Sequence, residues 1–357
     1  MSKIHSDLRG GHALSRLACG VALTLAAVSA SAAEPKTLYI GMNGGDMERA
    51  YTQHVFPDFE RAHNVKIVVV PGTSTDVLAK AQAYKDKPQM HVMFLDDGVM
   101  SRAISMGLCQ KLPDDPVLKE LFPTAIMKDG MAVGIDVGIT GLGYNTKMFA
   151  DNKWPAPTSW MDLADPKFKR RVVFQSAASS SFGLHGFLMF NRIQGGSEKD
   201  TAPGFKAWAD TIGPNVLEYI PNSAKLAEMA QNGEAAIFPL TPTSVARLQK
   251  RDLPVGYAHP KEGGVILMVG ECVIANNSEP ELANKLALHL LSADSQTKAL
   301  EFAGQFPSNR NVKPIAGQEA DFKRTQDYIE RSVILDWDVI NATRPAFNAK
   351  WNREIER

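Results

Sequence analysis

The sequence has little cysteine and no metal-ligand spacing. Three cysteines occur in 357 residues. No CxxC, HExxH or cysteine–histidine cluster is present, so a structural zinc is not supported. The GxGxxG run of a dinucleotide site is missing too, and no cofactor is expected. Charge of one sign is not in excess, with 39 basic and 39 acidic side chains. No strong field follows, which excludes nucleic acid as an expected partner. After the first thirty residues no apolar run reaches the ~18 residues that a membrane span needs.

The amino terminus reads as an export signal. Lys3, Arg9 and Arg16 precede the apolar run "LACGVALTLAAV", and the small residues "ASA" end at Ala32. The run is too short for an anchor and suits a secretory signal over residues 1–33, cut near Ala32 or Ala33. Cys19 sits at the start of that run rather than after it, so lipidation does not fit. Removing residues 1–33 takes away three basic side chains and Asp7, leaving a net charge of −2. The mature protein is expected in the periplasm. Its two cysteines, Cys109 and Cys272, are free to pair there, but spacing alone does not decide whether they do.

Beyond the signal, strands alternate with helices. "TLYIGM", "VKIVVVP" and "HVMFLD" are short β-prone runs, and amphipathic stretches follow each of them. "TSTDVLAKAQAY" begins with capping residues. A glycine-punctuated stretch, "MAVGIDVGITGLGYNTKMF", then leads into a second α/β unit. The pattern predicts an α/β fold with mainly parallel sheets, in which ligands sit at the carboxyl ends of strands.

Four stretches in order, "ITGLGYNTKMF", "PTSWMDLADPKFKRRVVF", "NGEAAIF" and "EPELANKLALHLLSADSQTKAL", resemble the extracellular solute-binding proteins of bacterial ABC importers. The likeness is nearest the branch that holds spermidine/putrescine and ferric-iron receptors. It implies a two-lobed type II periplasmic-binding fold with a hinge of crossover strands, near Val137–Tyr144 and Tyr257–Val265. Residues 34–140 with 258–312 are expected as lobe 1 and 141–257 as lobe 2, with C-terminal helices at 313–357 packing mainly on lobe 2. The partners implied are a small polar solute and a membrane permease, with the receptor a monomer and not an enzyme. Two departures bear on the solute. Val265–Val269 is apolar where spermidine-type receptors carry Trp-Met-Asp. Phe238-Pro239-Leu240 stands where iron receptors carry adjacent tyrosines, which disfavours iron.

The candidate ligand residues follow from strand-end position. Asn43, Gly44 and Asp46 lie after the first strand, where glycine lets backbone approach a ligand. Thr73 and Ser74 lie after the second. Asp96 and Asp97 end the third and would suit an ammonium group. Ser179, Ser180 and Ser181 follow "VVFQ", where hydroxyls and helix-start amides suit an anion or a hydroxyl. Thr241 lies on the opposite wall, and Glu271 follows the return strand. The five tryptophans are candidates for an aromatic clamp, although packing accounts for most of them.

The expected function is capture of a small polar solute, with a polyamine-like cation preferred. A zwitterion or anion, such as an amino acid or aminophosphonate, is the alternative. A periplasmic serine hydrolase is the third reading. Against it, no G-x-S-x-G elbow or S-x-x-K surrounds the serine run, and His185 lacks a third partner marked by spacing.

Overall fold

The computed structural model describes residues 34–221 and 223–356; the export signal expected over residues 1–33 lies outside them. The alternation seen in the sequence is realised as β1 (Lys36–Met42), α1 (Asp46–Ala50), α2 (Phe56–His63), β2 (Val65–Pro71), α3 (Ser74–Ala83), β3 (Val92–Asp96) and α4 (Asp97–Ser105). A π-helical turn, Tyr51–Val55, joins α1 to α2 ahead of Pro57. Two short strands, β4 (Cys109–Gln110) and β5 (Ile126–Met127), precede the 14-residue β6 (Ala132–Asn145). Next come α5 (Thr146–Asp151), β7 (Val172–Gln175), α6 (Ser181–Ile193), α7 (Ala202–Trp208), β8 (Val216–Ile220), α8 (Ser223–Gln231), β9 (Ile237–Leu240) and α9 (Pro242–Gln249). The chain returns through β10 (Val255–Ala258) and β11 (Val265–Ile274). It ends in α10 (Pro280–Leu290), α11 (Ala293–Lys298), α12 (Glu319–Glu330) and α13 (Trp337–Glu354).

The strand order is β2-β1-β3-β11-β6-β9-β7-β8, with β4 on β11 and both β5 and β10 on β6. The long strand β6 belongs to two sheets. Its first part, Val133–Thr140, pairs antiparallel with β11, and its last part, Gly141–Asn145, pairs with β9 and β10. Strand β11 is antiparallel to both β3 and β6, so β6 runs parallel to β3. Strand β9 is antiparallel to β6, and β7 and β8 follow β9. The carboxyl ends of β1–β3 and those of β7–β9 therefore point at each other along β6. Asp96 is level with Asp136, whereas Leu240 is level with Gly141. Five residues of strand put the two rims roughly 17 Å apart along that axis.

Each sheet has its own core. Leu38, Ile40, Phe59, Val92, Phe94 and Leu286 pack around the first. Phe168, Phe174, Phe187, Trp208 and Trp351 pack around the second. Burying such a side chain stabilises by about 1.5–3 kcal/mol. Close approach at two glycines fixes the joints. A Cβ on Gly98 would come within 2.6 Å of the Trp337 ring, and one on Gly183 within 1.9 Å of the Gln175 carbonyl. Cys109 on β4 and Cys272 on β11 form a disulfide with Cα atoms 5.7 Å apart, tying the edge of the first sheet to its return strand.

Candidate functional site in the cleft between the strand ends

On the second sheet, the rim is built from helix starts. Gln175 ends β7, and the chain must turn before α6. Ser180 caps α6: its hydroxyl accepts from the Phe182 amide at 3.2 Å and donates to Gln175 Oε1 at 2.9 Å. Gln175 Nε2 reaches Ser223 Oγ at 3.3 Å, linking this loop to the start of α8. Ser179 is exposed, and Ser180 and Ser181 are half-buried. A cavity of about 700 Å³ opens at this end of β7 and β8, lined by Ser176, Ser179, Tyr219, Pro221, Asn348 and Glu356. After β9, Thr241 caps α9, accepting from the Ser244 amide at 3.2 Å and donating to Ser244 Oγ at 2.9 Å. Helices α6 and α9 thus present the positive ends of their dipoles toward the first sheet. Arg247, exposed on α9, adds a full charge.

On the first sheet, the opposing rim is acidic. Asp96 and Asp136 are half-buried and stand on either side of Val269, on β3 and β6. Burial pushes the Asp96 carboxyl up, partly offset by its hydrogen bond with Ser74. Burial pushes Asp136 up to about 7, offset by the Phe306 amide at 3.0 Å and by the Arg247 guanidinium.

The candidate residues divide into groups. Asp96, Ser179, Ser180, Ser181 and Thr241 lie on the facing rims. Ser74 stands behind Asp96, its hydroxyl accepting from the Asp96 amide at 3.1 Å. Thr73 closes a capping box with Asp76 at the start of α3. Asn43 and Gly44 form the turn after β1, and the exposed Asp46 pairs with Arg49 within α1. Asp97 points away from Asp96. It is buried, accepts from the Gly98 amide at 2.9 Å and the Met268 amide at 3.4 Å, and bonds the Trp337 side chain. Burial, with the neighbouring Asp96 charge, raises it to about 7. Glu271 is fully buried one layer below Asp96 and Asp136, with no hydrogen-bond partner for either oxygen among the described residues.

Two residues that sequence reasoning passed over stand at this site, Asp136 and Arg247. Asp136 did leave a signal as a lone carboxylate in an apolar strand run, "MAVGIDVGIT". Arg247 left none among its basic neighbours Lys250 and Arg251.

The aromatic clamp does not form from tryptophan. Trp160, Trp208 and Trp351 are buried in the second core, Trp154 packs edge-on to Phe149 and Phe168, and Trp337 covers Gly98. Their large apolar area is worth more inside than beside water. His185 is completely buried, its Nδ1 2.8 Å from Thr140 Oγ1, and burial beside Arg344 lowers it to about 3. That histidine is engaged with Thr140 rather than with a rim serine. Among the described residues, no group of three or more His, Cys, Asp or Glu is placed to hold a metal ion, and no helix is long and apolar enough to cross a membrane. A second cavity, about 470 Å³, lies toward the amino ends of β1 and β3, lined by Tyr39, Lys80, Tyr84 and His91, away from both rims.

Comparison with known proteins gives the family and the fold. A family profile described as "Bacterial extracellular solute-binding protein" matches residues 55–327. The "Putative 2-aminoethylphosphonate-binding periplasmic protein" of Salmonella typhi is 22% identical over 354 residues, which cover 96% of this chain and 99% of that one. The crystal structure of an ABC transporter from Clostridium perfringens superposes with a TM-score of 0.77 at 20% identity, covering 89% of this chain and 99% of that one. The periplasmic binding protein AfuA of Actinobacillus pleuropneumoniae, with fructose-6-phosphate bound, gives 0.70 at 20% identity, covering 90% and 99%. The solved structures share the two-lobed α/β fold.

Proposed function

The chain belongs to the bacterial extracellular solute-binding protein family, and from that premise we propose that it is the periplasmic receptor of an ABC importer for a small solute with a phosphonate or phosphate head. One observation carries the choice of head group. The starts of α6 and α9 follow β7 and β9 at the lobe 2 rim, with Ser179 and Ser181 at the first of them and Arg247 in the last turn of α9. Helix-start amides and a guanidinium are donors without acceptors, the complement of a phosphonate's oxygens. The names of the Salmonella relative and of the fructose-6-phosphate complex support the same class.

In this reading lobe 1 comprises residues 34–140 with 258–312, and lobe 2 comprises 141–257. The C-terminal helices run over 313–357. Leu335, Ile340, Phe347 and Trp351 join the core of the second sheet, which supports packing mainly on lobe 2. The start of α13 also touches lobe 1, where Asn341 donates to the Gly98 carbonyl at 2.9 Å and Ser101 to Asp338 at 2.9 Å. The receptor works as a monomer and carries out no chemistry on its solute. Closure of the lobes around the solute is the state that the permease reads.

A second reading, a polyamine-like cation, is favoured by Asp96 and Asp136 on the lobe 1 rim. A thermal-shift panel of alkylphosphonates, sugar phosphates, amino acids, polyamines and ferric iron separates the two. A ligand at 100 times its Kd adds about 2.7 kcal/mol of stability. Stabilisation by phosphonates or sugar phosphates is expected. Stabilisation by polyamines alone would reverse the assignment.

A further inference from the structure

Helix α13 passes from one sheet's territory to the other's within a single turn. On the first side, Asn341 donates to the Gly98 carbonyl at 2.9 Å. Asp338 accepts from Ser101 Oγ at 2.9 Å and pairs with Lys128. On the second side, one nitrogen of Arg344 donates to the carbonyls of Ala177 at 2.8 Å and Ala178 at 3.3 Å. Gly98 lies two residues past the end of β3, and Ala177 two residues past the end of β7, so both partners sit at strand-end rims. Asn341 and Arg344 are three residues apart, about 4.5 Å of helix. Trp337, one turn before Asn341, also stands at the boundary. It covers Gly98, and its ring is 5.8 Å from that of His185 on α6.

The two halves of α13 are held by different forces. Beyond Arg344, Phe347 and Trp351 are buried in the second core, and the Trp351 ring is 5.5 Å from those of Phe187 and Trp208. Burial on that scale fixes this half to the second sheet. The first half is held mainly by polar contacts at residues that are exposed or half-buried. An exposed ion pair such as Asp338–Lys128 contributes little by itself.

Pro345 separates the halves. A proline has no N–H to give the carbonyl four residues earlier, and its ring crowds that carbonyl. The carbonyl in question belongs to Asn341, the residue that holds Gly98. The helix therefore lacks a bond at the boundary, where helices bend most readily. The chain enters α13 from the crossover strands, since Val333 pairs with Val265 of β11, which itself lies opposite Thr140 of β6.

We infer that α13 is a jointed strap between the lobes, in which Asp338 and Asn341 latch onto lobe 1, Pro345 is the joint, and the turns beyond it travel with lobe 2. The inference rests on the two-lobed reading above and adds a device to it. The latch favours the rim separation seen here, so it sets the population of the form that binds solute. Apparent affinity follows that population, although none of these residues needs to touch the solute.

Electron-spin distance measurement tests this with no solute present. Nitroxide labels are placed on Lys66→Cys in lobe 1 and Lys250→Cys in lobe 2, both exposed positions, while Cys109 and Cys272 stay bonded to each other. Asp338→Ala with Asn341→Ala releases the latch and leaves the second core intact. It should lengthen or broaden the distance distribution relative to the labelled parent. Asp338→Asn keeps an acceptor for Ser101 and should retain the parent distribution. Pro345→Ala restores the missing helix bond and should narrow it. Urea unfolding checks that each variant is folded, and Asn341→Ala alone carries the same expectation if the double variant is not. A distribution unchanged by release of the latch would overturn the latch, as would equal broadening in Asp338→Asn. A distribution unchanged by Pro345→Ala would overturn the joint. Failure to bind any phosphonate would overturn the solute assignment and leave these distances as they are.

Discussion

The Ser180 hydroxyl donates to Gln175 Oε1 at 2.9 Å while it accepts from the Phe182 amide at 3.2 Å. One side chain thus joins the end of β7 to the start of α6. It is committed to structure, and it holds the first amides of α6 in place. Ser180→Ala should cost about 1 kcal/mol of stability, the usual value of a lost N-cap. It should also weaken binding of an anionic solute, because those amides lose their fixed orientation. Urea unfolding and calorimetry on the same variant separate the two effects. A loss of stability with unchanged affinity would assign Ser180 to capping alone.

Gly98 lies under Trp337, where an added Cβ would sit 2.6 Å from the ring. Gly98→Ala must displace the first turn of α13 from α4, and with it the bond from Asn341 to the Gly98 carbonyl. Overpacking of this kind costs about 1–3 kcal/mol. A lowered urea midpoint with altered tryptophan fluorescence is expected. Wild-type stability would show that α13 is held elsewhere.

Reduction of Cys109–Cys272 releases a link between residues 163 apart in sequence. Loss of such a bond costs about 2–4 kcal/mol, mainly by freeing the unfolded chain. Thermal unfolding with and without a reductant should show a lower midpoint in the reduced protein. Cys109→Ser with Cys272→Ser should reproduce it without reductant, and insensitivity in both experiments would contradict the pairing.

Burial raises Asp136 from 3.8 to about 7, with Arg247 and the Phe306 amide pulling the other way. Between those values the folded protein holds a proton that the unfolded chain has released. This carboxyl therefore favours folding at low pH, and its contribution is lost as pH rises toward 7. A histidine whose pKa is lowered acts oppositely. His259, lowered to about 4 by burial and Arg331, favours folding at higher pH and loses that contribution as pH falls below 6.5. The carboxyl is therefore read as a difference. Stability of the unaltered chain relative to Asp136→Asn should fall from pH 4 toward pH 7 and then level. A flat difference would mean that the carboxyl titrates alike in the folded and unfolded chains.

The alternation of apolar runs and helices makes the α/β fold legible in the sequence. "TLYIGM", "VKIVVVP" and "VMFLD" became β1, β2 and β3 within a residue or two. Local capping was legible as well, in Thr73 with Asp76 and in the serines before α6. Direction was not. Asp96 and Asp97 are adjacent in sequence, yet one faces the cleft and the other anchors Met268 and Trp337. Consecutive residues leaving a strand point to opposite sides, and no composition rule says which side is open. Asp136 reaches the cleft through a bulge, and Arg247 through the packing of α9 on β6. Both are tertiary events that a linear reading does not contain. The disulfide falls in the same class, since its partners meet only when β11 returns beside β4.

Calorimetric titration of the chain with 2-aminoethylphosphonate near neutral pH tests the phosphonate receptor directly. A saturable one-to-one isotherm is expected, weakened by about tenfold or more in Arg247→Ala, which removes a full positive charge. No heat with this solute or with a sugar phosphate, alongside saturable binding of a polyamine, would contradict it.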